Sequence, residues 1–329
     1  MKKFIIDADT GSDDAVAILL ALRDPDVEIL GITIVSGNVP LELGILNAKS
    51  TMELCEQEIK VYAGSNSPLT REYKEIHDLD EFMNHVKSES PISASGQCVH
   101  GVDGMGDIGV SPQDKTYEKE SGIDFIIDSL NEQPNEIILV TLGPLTNIAK
   151  AIEKDPSIIE KVKHCYVMGG TSDGSGNVSA AAEYNIWVDP EAAKIVLSSG
   201  IKITMLPLDV THKTLVDRQF LSKLRSSDKN SATQAAKLLD FFERYDVKKY
   251  GSKGGPLHDP NVIVYLLNPE IYKGKIVNVE VETESDLTRG MTVVDWWEVT
   301  DRPKNVYYIN EVNSEAFFNH VLKNVLNLT

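Results

Sequence analysis

Three kinds of feature are scarce in this chain, and each scarcity narrows what it does. Basic side chains are outnumbered: 32 lysines and arginines face 50 aspartates and glutamates, giving a net charge of -18 over 329 residues. A surface of that sign repels a phosphate backbone instead of releasing its counterions, which excludes nucleic acid as a partner. The acidity itself reads as a solvated, colloidally stable surface. Cysteine is rarer. Cys55, Cys98 and Cys165 are far apart with no CxxC spacing, which fits reduced thiols and excludes a disulfide framework or a thiolate metal site. Long apolar runs are missing too. No stretch approaches the roughly 18 residues of a membrane span, and the apolar run after Met1-Lys2-Lys3 ends at Ile6, too short for a signal-peptide core. The expectation is a cytoplasmic protein with no membrane contact.

What is present is ordinary globular composition, 42% hydrophobic and 25% charged, enough to bury a sheet on both faces. Apolar runs of strand length alternate with helical patterns: Phe4-Ile6 then Ala15-Leu22, Val27-Val35 then Leu41-Leu54, Ile137-Leu142 then Leu145-Ile152. The rhythm continues through Cys165-Met168, helical Pro190-Leu197, the strand Ile201-Leu206 and a long helical period over Ser231-Val247. This is the pattern of βαβ units. Near the C-terminus, Ile276-Glu282, Met291-Val294 and Val306-Ile309 read as β-structure that extends the sheet or forms an edge, and Ser314-Leu326 as a closing helix with Ser314 as N-cap. No repeat or linker divides the chain. The expected fold is therefore a single α/β domain over 1–329, Rossmann-like, with a mainly parallel central sheet flanked by helices and an active site at the strand C-terminal ends. The irregular stretch Ser65-Thr116 reads as a lid or binding loop.

The densest chemistry is Asp7-Ala8-Asp9-Thr10-Gly11-Ser12-Asp13-Asp14, where the first strand turns into a helix. Carboxylates this crowded repel unless a cation neutralises them, and a hard divalent ion suits oxygen ligands. Capping of the helix N-terminus accounts for Asp13 and Asp14 as well, but not for Asp7 and Asp9 at the strand end. One reading is a magnesium-dependent phosphatase of the haloacid dehalogenase type, with Asp7 as nucleophile. Its strand-end motif places a threonine or valine where Gly11 stands here, and it gives Asp13-Asp14 no role. A non-catalytic nucleoside-binding protein is a third reading.

The cluster also resembles the DxDxxxDD signature of the nucleoside hydrolase family, with Asp7, Asp9, Asp13 and Asp14 at its acidic positions. Further family-like segments follow in order: Ser36-Gly37-Asn38, His100-Gly101-Val102-Asp103-Gly104, Leu142-Gly143-Pro144-Leu145-Thr146-Asn147, Met168-Gly169-Gly170, Glu183-Tyr184-Asn185 with Asp189-Pro190-Glu191-Ala192, and His258-Asp259-Pro260. The resemblance implies calcium-dependent hydrolysis of the bond between ribose and nucleobase. It implies Ca2+ held by Asp9, Asp14, Asp259 and the Leu142 backbone carbonyl, with room in its shell for a water and the 2′- and 3′-hydroxyls. Asp9 would deprotonate the ion's water, and His258 would act as general acid to the leaving base.

By the same resemblance, Asp13 and Asn185 bind ribose hydroxyls, and Asn38 lies near the 2′- and 3′-hydroxyl side or the base. Glu183 and Asn177 face the 5′-hydroxyl, Met168 packs on the ribose, His100 contacts the base, and Tyr245 and Tyr250 stack on the base or donate a proton to it. Read locally, Asn177 is equally a turn asparagine and Met168 a core residue, and Asp189-Pro190 is a helix start with aspartate as N-cap. A histidine at position 258 resembles the branch that accepts inosine and uridine or prefers pyrimidines. The implied partner is a small ribonucleoside, the implied task nucleobase salvage, and the implied assembly a homodimer or homotetramer.

Overall fold

Alternation along the first strand sets the architecture. In β1 (Lys2–Ala8) the side chains of Phe4, Ile6 and Ala8 enter one apolar core and that of Ile5 enters another on the opposite face, all fully buried. β4 (Ile137–Thr141) divides the same way, Ile138 and Val140 against Ile137 and Leu139. Side chains two apart share a face of a strand, so an unbroken apolar run requires cover on both sides. The computed structural model describes residues 1–70, 100–101, 103–109, 111–229, 232–240 and 254–326.

The first half of the chain runs β1, α1 (Ser12–Arg23), β2 (Val27–Ile34), α2 (Leu41–Leu54), β3 (Val61–Ala63), α3 (Gly122–Glu132), β4 and α4 (Thr146–Lys154). It continues through β5 (His164–Met168), α5 (Tyr184–Val188), α6 (Pro190–Ser198), β6 (Ile203–Leu206) and α7 (Leu208–Thr211). A short ribbon of β7 (Leu215–Val216) and β8 (Gly255–Pro256) brackets α8 (Arg218–Arg225) and a helical segment at 232–240. The chain closes with α9 (Pro260–Leu267), β9 (Tyr272–Val281), β10 (Thr292–Asp295), β11 (Val306–Val312) and α10 (Ser314–Leu326).

The nine strands lie in the order β10-β9-β11-β6-β5-β4-β1-β2-β3. From β3 to β6 this is the doubly wound order 3-2-1-4-5-6, every pair parallel. The C-terminal strands do both things their pattern allows: β11 extends the parallel sheet beside β6, while β9 and β10 turn antiparallel and make its edge. On one face α1 packs against α2, α9 and α10; on the other α4 packs against α3 and α6.

Two sequence expectations shift. The closing helix begins at Ser314, but Ser314 is not its cap: Asn313 Oδ1 accepts from the Ala316 N–H at 3.1 Å, and the Ser314 hydroxyl donates to the Lys213 carbonyl instead. Helix α3 was not anticipated, although Ser121 caps it and Ile126, Ile127 and Leu130 form its buried stripe. The long period over Ser231-Val247 is helical at 232–240; the remainder lies outside the described residues. No helix among the described residues is long and apolar enough to cross a membrane.

Candidate active site

Strand order reverses between β1 and β4, and in open α/β sheets the crevice at the carboxyl ends of such a pair is where ligands bind. Four loops leave the sheet around that point: Asp9 to Gly11 after β1, Ser36 to Asn38 after β2, Leu142 and Gly143 after β4, and Gly169 and Gly170 after β5, which ends at Met168. His258 and Asp259 enter from the turn between β8 and α9.

Asp9, fully buried, is the tightest-fitting of these residues. Its Oδ2 accepts the Asn38 N–H at 2.6 Å. A Cβ on Gly37 would stand 2.1 Å from that oxygen, and one on Gly143 would stand 2.8 Å from Oδ1. Glycine at both positions is therefore required to seat the carboxylate between two loops. Asp14 Oδ2 accepts the Gly11 N–H at 2.9 Å, closing the first turn of α1, so the capping reading holds for this residue. Capping uses only one of its oxygens. Asp259 brings a second buried carboxylate beside it.

Within the cluster, Asp9 Oδ1, Asp13 Oδ1 and Asp14 Oδ1 are buried with no hydrogen-bond partner among the described residues. Proteins seldom leave buried acceptors unpaired. Burial, together with neighbouring aspartates, holds Asp9 and Asp259 well above the usual carboxylate range and Asp14 at about 7. Oxygens of Asp13, Asp14 and Asp259 lie within 4.8 Å of one another. Ligands on opposite sides of a calcium ion are about 5 Å apart, so the residues fit a hard divalent cation in spacing, charge and unsatisfied lone pairs. Asp9, expected among the ligands, is not part of that trio, and Asp13 takes the third place in it. The expected backbone ligand, the Leu142 carbonyl, accepts the Asn185 amide at 2.7 Å and keeps a second lone pair.

The remaining candidates gather around this cluster. His100 Nδ1 accepts the Ser12 N–H at 3.2 Å and lies 3.7 Å from Asp13 Oδ1. Burial lowers its pKa against the pull of Asp13. His258 Nδ1 pairs with the Thr211 hydroxyl at 2.8 Å, and burial lowers its pKa well below the ordinary histidine value, helped by His212 and His100. Asn38 also reaches Asp14 through Nδ2 at 3.4 Å. Asn185 Nδ2 contacts the Met168 carbonyl and sulfur as well as Leu142, and Met168 is itself part of the core.

Glu183 is buried as the N-cap of α5, taking the N–H groups of Gly170, Asn185 and Ile186, and burial raises it to about 7. Asn177 Oδ1 accepts the Tyr184 N–H at 2.9 Å, a turn-forming bond. Tyr245 and Tyr250 lie outside the described residues. Asp7, expected as nucleophile in the phosphatase reading, is fully buried at the end of β1, with Oδ1 taken by Thr33 and by Asn147 Nδ2 and Oδ2 without a partner among the described residues. Sequence reasoning passed over Thr211, which carries no motif and lies 47 residues from the histidine it contacts.

The fold and site define a doubly wound α/β enzyme with a buried acidic centre at its switch point. The family model of the inosine-uridine preferring nucleoside hydrolases matches residues 4–319. The chain is 42% identical to an uncharacterized protein of Schizosaccharomyces pombe, covering 96% of each chain. It is 32% identical to the pyrimidine-specific ribonucleoside hydrolase RihB of Escherichia coli O157:H7, covering 96% of this chain and 95% of that one. The solved purine-preferring ribonucleoside hydrolase from Gardnerella vaginalis superposes with a TM-score of 0.86 at 32% identity over 99% of each chain. The chain belongs to the inosine-uridine preferring nucleoside hydrolase family and is an N-ribohydrolase.

Proposed function

We propose that this chain cleaves the N-glycosidic bond of ribonucleosides in a calcium-dependent reaction, giving ribose and free base for salvage. The observation that carries the reading is the set of orphaned carboxylate oxygens at the switch point, beside a histidine with one ring nitrogen free. Asp14 and Asp259 would hold the ion, with Asp9 and the Leu142 carbonyl completing its protein shell. Bound there, calcium would neutralise the cluster and supply a cation for the vicinal ribose hydroxyls.

Stretching the bond from C1′ to the base nitrogen places positive charge on the ribose. The carboxylates of Asp9 and Asp13 stabilise that charge, and Asp9 Oδ1, open and buried, takes the proton of the attacking water. Asn38, Asp13 and Asn185 orient the ring, with Glu183 and Asn177 shaping the 5′-hydroxyl end and Met168 the floor. His258 offers its N–H to the departing nitrogen, and His100 lines the base side. Tyr245 and Tyr250 are assigned to base contact. The whole of 1–329 is taken as one catalytic domain, and the buried free thiols of Cys55 and Cys165 favour a reducing, cytoplasmic setting.

The test is free-ribose release by the purified protein with calcium and inosine, uridine, cytidine or adenosine. Ribose from at least one nucleoside is expected. No ribose from any of them, with phosphate freed from a phosphomonoester, would refute the reading.

A further inference from the structure

We propose that Thr211 is a positioning residue that fixes the tautomer of His258, so that the departing base meets an N–H and not a lone pair. The inference rests on the role given above to His258 and adds the residue that makes the role possible.

Neutral imidazole has one protonated and one bare nitrogen, and the partner of one decides what the other presents. His258 Nδ1 has a single partner among the described residues, the Thr211 hydroxyl at 2.8 Å, and Nε2 has none. The Thr211 hydroxyl has no other partner there either. The hydroxyl hydrogen has no other acceptor there, so it donates to Nδ1, and the neutral ring's one proton sits on Nε2, where it is offered to the departing nitrogen as a hydrogen bond and stays on the ring. The opposite arrangement would aim the Nε2 lone pair at a nitrogen gaining electron density, and so oppose departure.

The contact is built on a stitched frame, so the hydroxyl is held in place from both sides. Thr211 is fully buried at the end of α7, its N–H donating to the Pro207 carbonyl at 3.1 Å. Its carbonyl accepts the Thr214 N–H at 3.1 Å and the Thr214 hydroxyl at 3.0 Å. Thr214 then grips the residue next to His258: the Leu257 N–H donates to the Thr214 carbonyl at 3.0 Å, and the Thr214 hydroxyl faces the Leu257 carbonyl at 3.2 Å. Asn261 Nδ2 donates to the Thr214 hydroxyl at 2.8 Å and to the Leu257 carbonyl. His258 and Thr211 are therefore set by one network that joins the end of α7 to the start of α9. A hydroxyl this well placed, with the ring nitrogen as its partner, acts as the tautomer lock.

Thr211→Val keeps the shape and removes the donor; Thr211→Ser restores it. For Thr211→Val, kcat on uridine or inosine should fall roughly 10- to 100-fold with KM within about 2-fold. Thr211→Ser should recover most of the loss. With p-nitrophenyl riboside, whose leaving group departs without a donor, Thr211→Val should match the unaltered enzyme. In the unaltered protein, 15N NMR should show His258 Nδ1 unprotonated and Nε2 protonated.

An Nδ1-protonated ring would overturn the inference, as would a Thr211→Val enzyme that loses both substrates equally. His258→Ala separates the levels. If it loses nucleoside hydrolysis while Thr211→Val does not, Thr211 is not the lock and the role of His258 stands. If His258→Ala keeps full nucleoside activity, that role fails and the inference with it.

Discussion

The carboxylate of Asp9 occupies a slot left open by two missing side chains, and its position is the most demanding piece of residue-scale geometry in the site. Gly143→Ala would place a methyl 2.8 Å from Asp9 Oδ1, moving the base without removing it. A displacement of about 1 Å in a reacting group costs on the order of 100-fold. The expected outcome is a kcat lowered by about that factor with an unchanged circular dichroism spectrum; wild-type turnover would show that the slot does not set catalysis. Asp9→Asn keeps the acceptor for the Asn38 N–H but removes the base, so kcat should fall by roughly 10³, measured as ribose release. At this scale the acidic residues were legible because carboxylates crowded at a strand end repel one another unless a cation sits among them. What they touch was not legible. Asp13 standing with Asp14 and Asp259, Asn185 holding the Leu142 carbonyl, and Thr211 against His258 all depend on loops brought together by the sheet.

Among the elements, α6 shows how local signals and tertiary ties combine. Asp189 was readable as an N-cap from Asp-Pro, and its carboxylate accepts the Ala192 N–H at 3.0 Å. It also accepts the Thr146 hydroxyl at 2.7 Å and the Leu69 N–H at 2.9 Å, joining α4 and the chain beyond β3 to the same carboxylate. Asp189→Ala removes the cap and leaves the buried Thr146 hydroxyl and the part-buried Leu69 N–H unpaired, which should cost about 3 kcal/mol. Urea unfolding checks it; a loss under about 1 kcal/mol would reduce Asp189 to an ordinary cap. Most strands and helices of the first half were legible because both-face burial and the 3.6 period are written in the sequence. α3 was passed over, although a serine cap and its apolar stripe signalled it. The order of the strands was not readable at all: nothing local tells β4 to return beside β1, or β11 to join β6 and not form a sheet of its own.

For the whole molecule, the buried acidic centre makes stability depend jointly on pH and cation. The carboxyl of Asp14 is raised from 3.8 to about 7 by burial and by Asp13. Below 3.8 the folded and unfolded states both hold the proton. Between 3.8 and about 7 only the folded state keeps it, so stability falls as pH rises through that window and the contribution is gone above it. A cation replaces the proton. In chelator, the melting temperature should therefore fall between about pH 5 and pH 8, and calcium should restore roughly 5 °C or more at the higher pH and less at the lower. An identical calcium effect at both values would contradict the linkage. The most direct test of the central claim is turnover of a nucleoside by the purified protein after chelation and again after calcium is restored, with Asp259→Asn alongside. Activity lost in chelator, regained with calcium, and weakly or not regained by Asp259→Asn is the predicted result; nucleoside hydrolysis indifferent to chelator and to Asp259 would contradict the account.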